Sequence, residues 1–277
     1  MYFDLAINKL VVTDFGIKGN FMNKLFRLIY LSILILSAQI NLAQNNLNFR
    51  QFGSETKEFI KQPSRWQSKD WSIIGLTTAS TLMIMQFDDE VRDQVLLTRE
   101  NIYNLPAEFG RIWGEPYNTL LFGGVNALSG IVNNIYMNKK VAFEIYQSAI
   151  YTGLTTMLLK TITGRSRPYT NQGSYSFSLF NLSGDDEWSF PSGHVSLAFS
   201  LSTVLSQNSK SELMKVIYYL PAFLTAYSRV YQDKHWLSDV FLGAVIGYSI
   251  GKWTVRIHEK NEGQVNPVPQ FSFYIKL

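Results

Sequence analysis

Three short motifs between Lys160 and Asp239 hold the side chains of this chain that are best suited to chemistry. They read Lys160-x6-Arg167-Pro168, then Pro191-Ser192-Gly193-His194, and then Ser228-Arg229-x5-His235-x3-Asp239. Two of the three histidines of the chain lie in these motifs. A fold that brings the motifs together would form a compact cationic pocket containing two imidazoles.

The three cations of these motifs, Lys160, Arg167 and Arg229, are expected to have no local carboxylate partners. Buried together they would repel one another, and each would lose hydration. Their grouping therefore favours a polyanionic ligand. A phosphate fits, because arginine offers a planar fork to two oxygens and lysine offers a point charge.

The second motif precedes an apolar, helix-like run that begins at Val195. Ser192 is therefore predicted to be the N-cap of this helix. The backbone amides of Gly193 and His194 would then lie at the helix N-terminus, where free N–H groups and the helix dipole favour an anion. The absence of a side chain at Gly193 would let a ligand approach the backbone closely.

His235 and Asp239 are four residues apart, so they share one face if this segment is helical. A carboxylate on Nδ1–H would fix the imidazole tautomer and leave Nε2 as a nucleophile. His194 lies on another element and is predicted to be the proton donor. Two histidines in different environments can divide the nucleophile and acid roles.

Each motif alone is typical of an ordinary turn, helix end or surface pair. In this order and spacing, the three resemble the signature of the type 2 phosphatidic acid phosphatase and vanadium haloperoxidase superfamily, over about Leu120 to Trp253. The resemblance implies a helical bundle and a phosphohistidine mechanism that needs no metal or other cofactor. The roles that it implies are phosphate binding by Lys160, Arg167, Ser192, Gly193 and Arg229, attack on phosphorus by His235, orientation of His235 by Asp239, and protonation of the leaving oxygen by His194.

The composition limits the class of protein. A chain of 277 residues suffices for one large or two small domains. It has no cysteine, so disulfides are excluded, and its net charge of +4 is too modest to indicate nucleic-acid binding. The mean hydropathy of −0.01 is low for a protein that lies mostly within a membrane.

The N-terminal segment, residues 1–43, is predicted to contain an export signal that begins at Met22. A charged stretch with Lys24 and Arg27 precedes an apolar run from Leu28 to Ala38, and Ala43 could mark a cleavage site. An uncleaved membrane anchor is the alternative. Residues 1–21 show no clear pattern.

The rest of the chain is predicted to be all-α. We expect a linker and N-terminal helical segment over 44–118, with residues 44–70 forming a linker or a short surface helix. A phosphatase core follows over 119–255, and then a polar tail over 256–277 in which His258 is solvated. The bundle would have about six core helices and be membrane-embedded or membrane-associated. The apolar helical segments are Trp71–Phe87, Thr119–Met137, Val141–Leu159, Val195–Ser206, Val216–Tyr227 and Val240–Trp253.

Details within these segments give further expectations. Pro221 should kink its helix, and the Gly243/Gly247 pair indicates close packing of the last helix against another. The acidic run 185–187 in the long loop is typical of solvated side chains. The C-terminal segment Phe271–Leu277 alternates weakly and could form a short strand.

The basic residues suggest an orientation for a membrane-spanning bundle. Lys139-Lys140 and Lys210/Lys215 would lie on the face opposite the site, which the positive-inside rule makes cytoplasmic. The site would then face the periplasm from a bacterial-type inner membrane. A soluble periplasmic bundle remains open.

The leading hypothesis is a phosphatase that acts on a phosphomonoester or pyrophosphate of a lipid or isoprenoid, with the membrane as partner and no nucleic acid. The alternatives are a vanadium-dependent haloperoxidase, since vanadate mimics phosphate, a soluble non-specific acid phosphatase, and a non-catalytic phospholipid-binding protein. The oriented imidazole and the second histidine favour an enzyme, because binding alone needs neither.

Overall fold

Helices follow one another through the described part of the chain, which confirms the predicted all-α class. The computed structural model describes residues 47–99, 104–180 and 184–263. In chain order the helices are α1 (Phe49–Arg65), α2 (Ser68–Met85), α3 (Asp88–Thr98), α4 (Leu105–Trp113), α5 (Pro116–Val132), α6 (Tyr136–Thr163), α7 (Gly193–Gln207), α8 (Glu212–Ile217), α9 (Leu220–Tyr231) and α10 (Leu237–Gly263). Single 3-10 turns at Pro168–Thr170 and Asp185–Glu187 lie in the loop between α6 and α7.

Helix α7 is the centre of the bundle, and most of its side chains are buried. It packs against α6, α9 and, most extensively, α10. Glycines on α10 make this contact close, since a Cβ at Gly247 would lie 2.1 Å from the carbonyl oxygen of Ser196, and one at Gly243 would lie 2.7 Å from that of Ser192. The predicted close packing of the Gly243/Gly247 face is confirmed. It brings the N-terminus of α7 against the N-terminus of α10, where the second and third motifs lie.

Two helix boundaries differ from the sequence prediction. Of the predicted linker or short surface helix over residues 44–70, the structure shows the 17-residue helix α1, which buries Glu55. Pro221 does not kink a continuous helix. The chain turns after α8, and Pro221 lies in the first turn of α9, where a missing N–H costs no hydrogen bond.

The helices in the described ranges are too short or too polar to cross a bilayer. The sequence predicted a membrane-embedded or membrane-associated bundle, and the embedding finds no support here. Polar groups interrupt the apolar segments. Helix α6 buries Glu144 and Gln147, and α5 ends just before Asn133 and Asn134.

The prediction for His258 is wrong. Its side chain is buried, because it lies one turn after the buried Val255 on the inner face of α10. Nε2 lies 3.1 Å from Oε2 of Glu55 and 2.8 Å from Oε1 of Gln147, and Nδ1 lies 3.5 Å from Oε1 of Glu144. The start of the expected polar tail is thus part of the helical bundle.

Two further expectations lie outside the described residues. They are the export signal or membrane anchor within residues 1–43 and the short strand at Phe271–Leu277.

Candidate active site

His235 lies in the turn that leads from α9 to α10, with its ring buried against Asp239. Nδ1 lies 3.6 Å from Oδ2 of Asp239. The same carboxylate oxygen accepts the backbone N–H of Trp236 at 2.9 Å and the hydroxyl of Ser189. Because these donors fix the carboxylate, it holds the Nδ1 side of the ring and leaves Nε2 for another partner.

Burial and charge act on this pair in opposite directions. Burial lowers the pKa of His235 well below its usual value, and Arg167 and Lys160 add to the effect although Asp239 opposes it. Burial alone would raise the pKa of Asp239, but Arg165 and the hydrogen bond with His235 bring it down to about 2. At neutral pH the pair is therefore a neutral imidazole beside a carboxylate.

Arg165, which the sequence motifs did not single out, is completely buried behind Asp239. Nη1 lies 2.7 Å from Oδ1 of Asp239, and Nη2 lies 2.8 Å from Oδ2 of Asp88. Nε donates to the carbonyl of Ser174 at 2.8 Å. The guanidinium thus ties the loop before α7 to the carboxylate that orients His235.

Lys160 lies in the last turn of α6, where its cation also suits the negative end of the helix dipole. Nζ donates to the carbonyl of Trp188. A Cβ at Gly193 would lie 3.7 Å from Cε of Lys160, so the lysine reaches the start of α7. Burial, with the nearby charge of Arg167, lowers the pKa of Lys160 to about 7.

Arg229 lies in the last turn of α9, and its backbone is hydrogen-bonded to that of His235. Its carbonyl accepts the N–H groups of Lys234 and His235 at 3.0 and 3.2 Å. Its guanidinium donates to Oε1 of Gln232 at 2.6 Å and to Oγ of Ser228 at 3.0 Å, while Nε has no hydrogen-bond partner among the described residues. Burial, reinforced by neighbouring arginines, lowers the pKa of Arg229 to about 10.

The expectation that the cations lack carboxylate partners is wrong for Arg167. Its guanidinium pairs with the carboxylate of Asp185, and Nε donates to the Asp185 carbonyl at 2.7 Å. The adjacent Asp186 accepts both the Arg167 N–H, through its carbonyl at 2.8 Å, and the hydroxyl of Tyr169. The acidic run 185–187 is therefore not merely solvated, because it binds Arg167 of the first motif and Tyr169.

Ser192 occupies the predicted N-cap position of α7, but its side chain does not cap the helix. The buried Oγ has no hydrogen-bond partner in the described part of the chain, and the Ser192 N–H donates to the Asp239 carbonyl at 3.0 Å. The first amides of α7, at Gly193 and His194, lie beyond the reach of intrahelical acceptors. Hydroxyl and amides together offer unused donors at a helix N-terminus, which is the arrangement that binds an anion.

His194 has a carboxylate partner that the sequence analysis did not identify. Nε2 lies 3.5 Å from Oε1 of Glu115, whose other neighbour is Arg111 at 3.6 Å. A Cβ at Gly114 would lie 3.0 Å from Cβ of His194, so the turn between α4 and α5 packs directly against this residue. Burial lowers the pKa of His194, with Glu115 opposing the shift and Arg229 adding to it.

The structure brings the predicted residues into one region. Lys160 acts electrostatically on His235, and Arg229 acts on His194, while Arg167 acts on both imidazoles. Among the residues that the structure describes, no three acidic or histidine side chains form a group that could hold a metal ion. The region can therefore offer a neutral nucleophile, a second imidazole and a set of cationic and neutral donors to one anionic group.

Comparison with known proteins relates the segment that carries the motifs to one superfamily. Residues 142–262 match the sequence model of the PAP2 superfamily. This match confirms the predicted resemblance to that superfamily. The matched residues include all three motifs, whereas α3 and Glu115 lie before them.

Two characterised relatives are phosphatases of lipid A. The chain is 38% identical over 84 residues to the lipid A 1-phosphatase of Porphyromonas gingivalis, covering 30% of this chain and 19% of the relative. It is 23% identical over 182 residues to the lipid A 4'-phosphatase of Bacteroides thetaiotaomicron, covering 61% of this chain and 77% of the relative. The chain therefore spans about a fifth of the length of the first relative. A crystal structure of Aquifex aeolicus LpxE aligns with 25% identity and a TM-score of 0.36, over 57% of this chain and 98% of that one.

Proposed function

We propose that this chain is a phosphatase that hydrolyses a phosphorylated lipid through a phosphohistidine at His235. The observation that carries the proposal is the buried His235–Asp239 pair beside a cationic region with unused donors. Ser192 Oγ and Arg229 Nε are both buried without a partner among the described residues. Burying a polar group without a hydrogen-bond partner costs free energy of folding. The oxygens of a bound phosphoryl group would accept hydrogen bonds from both groups and remove this cost.

In the first step, Nε2 of His235 attacks phosphorus as the bond from phosphorus to the ester oxygen breaks. Asp239 stabilises the positive charge that develops on the ring. Lys160, Arg167 and Arg229 neutralise the phosphoryl oxygens, and this charge stabilisation is the largest contribution expected in such a site. His194 gives its proton to the leaving oxygen, so that an alcohol departs.

In the second step, water attacks the phosphohistidine. The P–N bond breaks, His194 accepts the proton of the water, and inorganic phosphate leaves with His235 neutral again. His194 must therefore be protonated when substrate is bound, although its pKa is lowered in the empty site. The bound phosphate supplies this change, because its negative charge offsets the nearby Arg229 and Arg167.

The proposed substrate is a lipid phosphate, and phosphorylated lipid A is the first candidate. The support is that the two relatives are a lipid A 1-phosphatase and a lipid A 4'-phosphatase. The reacting group of other lipid phosphates and pyrophosphates is the same. The contacts around His235 therefore support a type of reaction but do not distinguish among these lipids.

The experiment is a screen of the purified protein for phosphate release from phosphatidic acid, phosphatidylglycerol phosphate, undecaprenyl pyrophosphate and lipid A. Release from at least one, abolished in His235→Ala, is the expected result, and activity should persist in EDTA. No release from any of the four or from p-nitrophenyl phosphate would overturn the proposal. Halide peroxidation on addition of vanadate would instead identify a haloperoxidase.

We also propose that the protein works on a membrane surface, at the periplasmic face of the inner membrane. Leu179 and Phe180 lie on the loop before α7 with 67% and 73% of their surfaces exposed, and such side chains suit a lipid interface. Binding to liposomes of anionic phospholipid should fall in Leu179→Ser and Phe180→Ser. Equal binding by wild type and both variants would contradict a role for this loop. Protease accessibility in spheroplasts would test the periplasmic location.

A further inference from the structure

Helix α3 carries two charged side chains that both point at the segment around His235. Asp88 and Arg92 are four residues apart, so they share one face of the helix. Asp88 is buried, and the side chain of Arg92 is 18% exposed. The helix lies outside residues 142–262, so the match to the superfamily assigns it no role.

Asp88 binds the chain just after the nucleophile. Its carboxylate accepts the backbone N–H of Ser238 at 2.9 Å and also the Ser238 hydroxyl. Its second partner is Arg165, which in turn pairs with Asp239. One carboxylate on α3 therefore fixes both the first turn of α10 and the guanidinium behind the orienting aspartate.

Arg92 binds the chain just before the nucleophile. Nε and Nη2 donate to the two carboxylate oxygens of Asp233 at 2.7 and 2.9 Å, and Nη2 also reaches Oδ1 of Asn171 at 2.8 Å. Asp233 has a φ of +60°, a left-handed conformation that non-glycine residues rarely adopt. The guanidinium also lies 5.8 Å from the centre of the Trp236 ring.

We propose that α3 is the positioning element of the nucleophile, with Asp88 and Arg92 as positioning residues that hold the chain on both sides of His235. The inference rests on the proposed function. The hydrogen bonds of the two side chains go to Asp233, Asn171, Ser238 and Arg165, so both act on the placement of His235 through these partners. Nucleophilic attack depends steeply on the placement of the attacking atom, and a shift of about 1 Å caused by a distant mutation can cost about 100-fold in rate.

The first test is the kinetics of Arg92→Gln, which removes the two-oxygen contact with Asp233. We expect kcat to fall about 10- to 100-fold. KM and the inhibition constant of inorganic phosphate should stay near wild type, because the phosphate-binding cations are untouched. Arg92→Lys should recover part of the loss, since it keeps the charge without the fork. A wild-type kcat in Arg92→Gln, or equal losses in kcat and phosphate affinity, would overturn the proposal.

Asp88→Asn tests the contact of Asp88 with Ser238 and Arg165, and Glu90→Gln is its matched control. Both variants change a carboxylate to an amide in the first turn of α3. Glu90 is exposed, so its variant should keep wild-type kcat. Asp88→Asn should lower kcat with little change in KM, provided that its circular dichroism shows a folded protein. If Asp88→Asn does not fold, Arg92→Gln decides the question alone.

The NMR signals of the His235 ring test the positioning role without measuring catalysis, so this test does not depend on the proposed function. The chain has three histidines, so ¹⁵N-histidine spectra can be assigned with His235→Gln. Wild-type His235 should give the signals of one neutral tautomer, protonated at Nδ1, whereas Arg92→Gln should give averaged signals. Unchanged ring signals would refute the positioning role even if the protein is a phosphatase. A fixed tautomer lost in the variant would support it even if no lipid phosphate is hydrolysed.

Discussion

Nε2 of His194 lies 3.5 Å from Oε1 of Glu115, across the junction between α7 and the turn before α5. This contact occupies Nε2, so in the proposed mechanism Nδ1 would carry the proton to the leaving oxygen. It also supplies a negative charge that raises the pKa of an imidazole otherwise lowered by burial and by Arg229. Glu115 thus favours the protonated form that a proton donor needs.

His194→Ala should damage catalysis most when the leaving group is poor. A general acid contributes about 10²- to 10⁴-fold, so hydrolysis of a lipid phosphate, whose alkoxide leaves badly, should fall by that factor. Hydrolysis of p-nitrophenyl phosphate should fall much less, because its leaving group needs little protonation. The measurement is kcat/KM for both substrates. Equal losses would mean that His194 binds or positions the substrate instead.

His235→Ala should abolish hydrolysis of both substrates equally, because it removes the attacking atom. Rapid quenching of wild type with labelled substrate should trap an acid-labile phosphoenzyme, and the variant should trap none. His258→Ala is a matched control, because His258 is also buried and lies at the other end of α10. Persistence of label in His235→Ala would refute the nucleophile assignment.

Phosphate binding should weaken as the pH rises through about 7. In the free site burial and Arg167 lower the pKa of Lys160 from 10.5 to about 7, so the cation is present below that pH and lost above it. The inhibition constant of inorganic phosphate should therefore rise, approaching about tenfold per pH unit if only the protonated form binds. Lys160→Arg, charged throughout, should flatten the profile. A wild-type profile that is flat from pH 6 to 9 would contradict this assignment.

The side chains that we propose to act on phosphorus could be predicted from the sequence, because their spacing within three motifs is itself informative. Arg165 was missed although it lies two residues from Arg167. Nothing in a linear pattern shows which of two neighbouring arginines turns inward. Its role depends on Asp88, which is 77 residues away, and only the fold brings them together.

The locations of most helices could be predicted from the sequence, whereas the burial of polar side chains such as His258 could not. Apolar periodicity located α6, α7 and α10, and the glycines of α10 predicted its close packing. His258 was misjudged because its neighbours in the chain are charged. On the helix it follows the inward face set by Gly251 and Val255, and its carboxylate partners come from α1 and α6.

Gly247→Ala should disturb the site through packing alone. Its Cβ would lie 2.1 Å from the Ser196 carbonyl, so α10 must move away from α7. Overpacking of this kind costs about 1–3 kcal/mol, and it would separate Asp239 from the N-terminus of α7. We expect a lower melting temperature and a lower kcat. The control Gly153→Ala meets nothing within 4 Å and should raise stability by about 0.5–1 kcal/mol. Equal effects of the two variants would argue against the close contact.

His258→Ala should destabilise the bundle while sparing the reaction. It would leave the buried carboxylates of Glu55 and Glu144 without their shared partner, and breaking such a pair costs about 3–5 kcal/mol. Melting temperature should fall by on the order of 10 °C. At a temperature where the variant is folded, kcat should be near wild type, because Glu144 is 16 residues from Lys160 on α6, or about 24 Å.

The pH dependence of this stability follows from Glu55. Burial raises its pKa, but the hydrogen bond and charge of His258 outweigh this, and the net pKa lies below 4.5. A carboxylate with a lowered pKa stabilises the fold above its unfolded pKa, and this contribution is lost as the pH falls below it. The difference in melting temperature between wild type and His258→Ala should therefore be largest near neutral pH and should narrow below about pH 4.5. The exposed neighbour Glu259, changed to Gln, should show no such trend. A difference that widens in acid would mean that Glu55 is not held ionised by His258.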